Sequence, residues 1–201
     1  MTSRDDILAR VRQNQPAARP LPKVPLFDAG IPISFDTFKA NLGRMGGKFV
    51  APPANGNLDA LIAKLFPEAT VVCSATPDVT GNRPIDGIRD PQELHDVDVG
   101  VVRAAFGVVE TGSLWLSESQ FIVNALGFLS QHLVVLLDPV ALVANMHNAY
   151  QHPGFREAKY AVFMTGPSAT ADIEGILIHG AQGIRTMTVI PVAAATRGKP
   201  R

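Results

Sequence analysis

The sequence predicts an α/β domain with a mostly parallel sheet, and three observations carry that prediction. Apolar segments of four to seven residues alternate with amphipathic segments of about ten, the pattern of strand–helix units. Leu133-Val-Val-Leu-Leu137 is a continuous apolar run of strand length, as a strand buried on both faces requires. Two apolar runs end in turn chemistry that opens helices, Asp138-Pro139 and Gly166-Pro167-Ser168.

The elements follow in order. Residues 3–14 read as a short helix capped by Ser3, with Asp5 and Asp6 in its first turn and Ile7, Leu8 and Val11 at helical spacing. Pro16, Pro20, Pro22, Pro25 and Pro32 then break regular structure. The division is therefore an N-terminal helix over 1–15, a proline-rich linker over 16–33, and an α/β domain over 34–201. Ser34 caps a helix through Arg44, with Phe35, Phe38 and Leu42 on one face and Gly46-Gly47 closing it. A short strand over Lys48–Ala51 follows, then a helix capped by Asn57 that ends before Pro67. Thr70–Ser74 is the next strand, and the polar stretch Thr76–Pro91 is a long loop. Val97–Val102, Ala104–Val109 and Ser113–Ser117 supply central strands ahead of the 133–137 run. The pattern then predicts a helix from Asp138 to about Tyr150, a strand over 159–165, a helix over 170–179 and a strand over 186–192.

Composition bounds the function. Lysine plus arginine equal aspartate plus glutamate at 18 each, which disfavours nucleic acid and anionic membranes as partners. No stretch approaches the ~20 apolar residues of a membrane span, and the N-terminus lacks a secretory pattern, so the expected location is the cytoplasm. The one cysteine, Cys73, lies in an apolar strand and reads as core; alone it forms neither an internal disulfide nor a cluster site. His147 and His152 are five apart, not at the i, i+4 spacing of a zinc pair, so no metal site is expected. Gly180-Ala-Gln-Gly183 lacks the order of a dinucleotide fingerprint.

Two segments carry candidate chemistry. The first is Gly166–Gly175. Gly166 permits unusual backbone angles, Ser168 or Thr170 can cap a helix, and Asp172 and Glu174 would lie in its first turn. A helix start there would offer backbone N–H groups to a carboxylate or phosphate, while the two acids suit a polar or cation-bridged ligand equally well. The second is Glu110-Thr111-Gly112-Ser113, polar groups at a break between apolar runs. A buried glutamate there would suit a nucleophile or general base; in solvent it is an ordinary turn residue.

Together, Glu110-Thr-Gly112, the His132-Leu-Val-Val strand and Gly166-Pro-Ser…Thr170-Ala-Asp-Ile-Glu174 resemble the LUD domain of lactate-utilization protein C, over the region Asp98 to Val192. The resemblance implies a three-layer α/β/α fold similar to the glucosamine-6-phosphate deaminase, ribose-5-phosphate isomerase and CoA-transferase type. It further implies an accessory role in a complex that oxidises L-lactate to pyruvate with iron–sulfur partner subunits, the clusters residing on those partners and no cofactor on this chain. The alternative is a stand-alone isomerase or acyl-CoA-transferase-type enzyme using Glu110. The sequence departs from the family pattern at Ala169, where arginine is common, and at Gln182-Gly183-Ile184, where His-Gly-Pro is usual. The first departure removes a bidentate holder for a carboxylate.

Overall fold

The computed structural model describes residues 2–172 and 174–194. Ile173, inside the expected 170–179 helix, and the end of the 34–201 domain lie outside them. The chain opens with α1 (Ser3–Gln13), α2 (Phe35–Arg44), β1 (Lys48–Phe49), α3 (Leu58–Leu65) and β2 (Val72–Ser74). A 3-10 turn (Pro91–Leu94) precedes β3 (Val99–Arg103), β4 (Phe106–Val108) and β5 (Ser113–Ser117). Then come α4 (Glu118–Phe121), α5 (Leu126–Leu129), β6 (His132–Leu137), β7 (Leu142–Val143), α6 (Met146–Tyr150) and α7 (Gly154–Glu157). β8 (Ala161–Met164), β9 (Ala169–Thr170), β10 (Ile178–His179) and β11 (Thr186–Pro191) complete the order.

Five strands form a wholly parallel sheet in the order β1-β11-β6-β3-β2. Its pleat sends alternate residues to opposite faces. Leu133, Val135, Leu137, Met187 and Val189 join one buried cluster with Phe38 and Leu42 of α2. Val134, Leu136, Val99, Val101 and Ile190 join another with Leu58 and Ile62 of α3. Both faces are therefore covered by helices, the three-layer α/β/α arrangement, and the unbroken 133–137 run is explained.

A second sheet, β7-β4-β5-β8, was not foreseen. Only two residues, Ala104 and Ala105, separate β3 from β4, so the chain turns directly from one sheet into the other. Leu114, Leu116 and Met164 of the second sheet enter the same core as α2. Its other face buries Phe106 and Trp115, stacked at 5.4 Å, beneath residues of α6 and α7.

Three local expectations are corrected. Thr2, not Ser3, is the N-cap of α1, its N–H and hydroxyl both donating to the Asp5 carboxylate. The helix expected from Asp138 to Tyr150 is a turn, the strand β7 and the short α6. Asp138 Oδ1 accepts the Val140 N–H at 3.1 Å and closes a local turn. The next residues then supply the edge partner that β4 needs: Gly107 and Val109 donate to the Ala141 and Val143 carbonyls. Helix begins only at Asn145, whose side chain accepts the Asn148 N–H.

The helix expected over 170–179 is instead an antiparallel hairpin, β9 paired with β10. The Gly180 N–H donates to the Ser168 carbonyl, the Ser168 N–H to the Ile184 carbonyl, and Thr170 Oγ1 to Asp172. That local side-chain bond and the left-handed Glu174 and Gly175 favour a turn. An isolated helix of so few residues is marginal in any case.

Candidate functional site

The structure brings the two sequence-singled turns together, although 52 residues separate Ser113 from Thr165. Glu110–Ser113 joins β4 to β5, and Thr165–Gly166 follows β8, the antiparallel neighbour of β5. Both turns therefore emerge at one end of the second sheet's strands. The strand expected over 159–165 thus belongs to this second sheet, antiparallel to β5, and not to the parallel sheet.

Helix α2 closes the site. Gly112 has φ +70°, and a Cβ there would stand 2.6 Å from Leu42 Cα. Gly166 has φ +93°, and a Cβ there would overlap the Met45 carbonyl. Both glycines are thus needed for conformation and for close approach. Asn41 Nδ2 donates to the Val109 and Glu110 carbonyls at 2.8 and 3.1 Å, and Arg44 Nη1 donates to Asn41 Oδ1 at 2.9 Å. The sequence reading passed over Asn41 and Arg44. Their only local signal was polar character at the end of a helix whose other face is apolar.

Between these walls lies an open cleft of about 430 Å³ lined by Asn41, Arg44, Met45, Glu110, Thr111, Ser113 and Thr165. Its floor is a hydroxyl row. Thr111 Oγ1 lies 2.7 Å from Ser113 Oγ, which lies 2.5 Å from Thr165 Oγ1. Glu110 is exposed, and its Oε2 accepts the Met146 N–H at 3.2 Å. The cleft offers a guanidinium, a carboxylate and hydroxyls, a set suited to a small polar ligand. Arg44 of α2 is the cationic residue of the cleft lining, which does not include Ala169 of the hairpin.

The remaining residues of the Gly166–Gly175 motif lie elsewhere. Ser168 and Thr170 sit in the hairpin ladder, and Asp172 and Glu174 are exposed beyond it; none of these four lines the cleft. Cys73 is fully buried, and burial pushes its thiol above the ordinary value. Among the described residues, no group of three or more His, Cys, Asp and Glu side chains is placed to hold a metal ion. Among them also, no helix is long and apolar enough to cross a membrane.

At the carboxyl ends of the parallel strands, where open α/β sheets usually bind ligands, Arg103 and Asp138 border a cleft of about 360 Å³ and are themselves tied into the fold. Arg103 donates to the Asp78 carboxylate at 3.0 Å and to the Val192 carbonyl at 2.8 Å. Asp138 Oδ2 accepts the Ala194 N–H. Burial opposes the Asp78 charge, but hydrogen bonds from Thr76 and Arg103, with the Arg103 charge, hold its pKa below the carboxylate range.

These features define a three-layer α/β protein with a second sheet that carries a polar cleft. The LUD domain family model matches residues 89–192, and the chain belongs to the LUD domain family. The architecture is shared with a crystal structure of a DUF162 family protein from Deinococcus radiodurans. That structure aligns with 84% of this chain and 100% of its own, with a TM-score of 0.60 and 18% sequence identity. No curated protein sequence matches the chain.

Proposed function

We propose that this chain is a cluster-free accessory component of a cytoplasmic complex that oxidises L-lactate to pyruvate, acting with iron–sulfur partner subunits. The LUD domain family is associated with lactate utilization, which sets the context of the reading. The observation that carries it is the cleft. Two strings that mark the family likeness, Glu110–Gly112 and the turn at Gly166, meet across it with Arg44 and a row of hydroxyls. In this role the cleft binds a small carboxylate, held by Arg44 and the hydroxyls of Thr111 and Ser113. Electron transfer belongs to the partners, which carry the clusters.

The contact with those partners is assigned to residues 1–33. α1 buries none of its residues, and Leu21, Val24 and Phe27 of the linker are exposed. Leu26 and Asp28 of the linker are fastened by side-chain hydrogen bonds from Asn145 and Asn148. Recovery of iron–sulfur proteins with the tagged chain from its native host tests the reading, and repeated failure to recover them overturns it. A thermal-shift screen with lactate, pyruvate, sugar phosphates and coenzyme A tests the cleft. A ligand at 100 times its dissociation constant should add about 2.7 kcal/mol. The alternative, an isomerase or CoA-transferase-type enzyme, needs Glu110 as the reacting group, and a Glu110→Gln variant with undiminished turnover would remove it.

A further inference from the structure

The amino ends of the parallel strands form a second cleft of about 440 Å³, on a different face from the one at Glu110. Register explains its lining. Lys48 begins β1, Thr186 begins β11 and His132 begins β6, and these three strands are neighbours with Thr186 paired to His132. Arg185, immediately before β11, and Phe66, at the end of α3, complete the walls. Phe66 stacks on the His132 ring at 4.8 Å, and His132 Nδ1 is bonded to Thr186 Oγ1 at 2.8 Å. One imidazole nitrogen is thus fixed, and the lining combines an apolar wall of Val50, Leu65 and Phe66 with two cations.

The charges facing His132 come from four segments: Lys48 from β1, Glu68 after α3, Asp98 before β3 and Arg185 before β11. They are not equally available. Asp98 Oδ2 already accepts the Thr70 N–H at 2.7 Å, the Thr70 hydroxyl at 2.9 Å and the Val71 N–H at 2.9 Å. Glu68 is exposed. Among the described residues, neither Lys48 nor Arg185 has a carboxylate within ion-pair distance. Two cations without partners beside an apolar wall are the chemistry that recognises an organic anion.

We propose that this cleft binds a small organic anion, carboxylate or phosphate, through Lys48 and Arg185, and that its binding is coupled to protonation of His132. Burial holds the His132 pKa below its ordinary value, and Arg185 and Lys48 add to that effect while Asp98 opposes it. A bound anion offsets the two cations, so His132 takes up a proton on binding. Affinity accordingly rises as pH falls from 8 toward 6. This site is independent of the lactate-complex reading, and recovery of iron–sulfur partners bears on it in neither direction.

Isothermal titration of the full chain with benzoate and with phenyl phosphate, in two buffers of different ionisation enthalpy, tests the proposal and separates the two anion classes. The expected result is saturable binding of at least one probe, with net proton uptake near pH 6.5. Lys48→Gln and Arg185→Gln, both at exposed positions, should keep the parent Tm and each weaken binding about tenfold. His132→Gln should bind with no proton uptake. Absence of saturation by either probe up to about 10 mM overturns the site. So does binding that ignores both cation substitutions, and proton uptake that survives His132→Gln overturns the coupling.

Discussion

Replacing Gly112 with alanine should loosen α2 from the β4–β5 turn that carries the Glu110 cleft. Two costs add. Gly112 sits at φ +70°, a left-handed conformation that costs a side-chain-bearing residue about 1–2 kcal/mol. The new Cβ would also stand 2.6 Å from Leu42 Cα and 2.7 Å from the Asn41 carbonyl carbon. Those are backbone atoms of α2, so no rotamer change relieves the overlap; overpacking of this kind costs about 1–3 kcal/mol. The sum is about 2–5 kcal/mol, a large share of the ~5–15 kcal/mol that holds a domain together. At roughly 2–4 °C per kcal/mol for a chain of this size, Tm should fall by about 4–20 °C. Thermal unfolding followed by circular dichroism measures it. A Tm within about 2 °C of the parent would refute the reasoning, because it would mean that α2 does not rest on this turn.

Leu42→Ala removes a fully buried side chain from the same contact and should cost about 2–5 kcal/mol in chemical denaturation. Asn145→Ala should cost about 1–3 kcal/mol, losing both the cap on α6 and the 2.8 Å bond to the Leu26 carbonyl. The same variant should make the linker cleave faster in limited proteolysis. For His132, burial lowers the folded pKa, so the unfolded chain binds the proton first as pH falls. The stability of neutral His132 is therefore full above the ordinary histidine pKa and lost as pH drops through the lower folded value. Tm should be lower at pH 5 than at pH 7.5, and His132→Gln should narrow that gap. Deleting residues 2–14 should change Tm by less than about 1 °C, because α1 buries none of its residues.

What could be read from sequence followed from the range of the interactions involved. The helices α2 and α3 were legible because their signals are local: Ser34 and Asn57 cap them, and apolar residues recur at helical spacing. The strand β6 was legible because burial on both faces leaves a continuous apolar run. The second sheet was not. Asp138-Pro139 looks like a helix start by every local rule, but pairing of Leu142 and Val143 with Gly107 and Val108 decides the outcome. The hairpin at 169–179 is likewise decided by a ladder that no periodicity records. For the cleft, sequence identified Glu110–Ser113 and Gly166 but not their neighbours. Asn41 and Arg44 arrive from a helix about 70 residues earlier, positioned by two glycines whose importance is steric.

The hydroxyl row beneath the cleft has a direction that the protein leaves open. Each of Thr111, Ser113 and Thr165 can donate or accept; the Ser113 N–H donates to Thr111 Oγ1 at 3.3 Å, which still leaves that hydroxyl its own proton and a second lone pair. The three protons can therefore point as one file toward either end of the row. Adjacent hydroxyls polarise one another, so the file reverses together rather than one bond at a time. An acceptor placed at Thr111 would draw its proton outward and turn Ser113 and Thr165 to follow. A donor at the same place would set the opposite sense. The polarity of a group bound at Thr111 would thus set the sense of the bonds as far as the turn after β8.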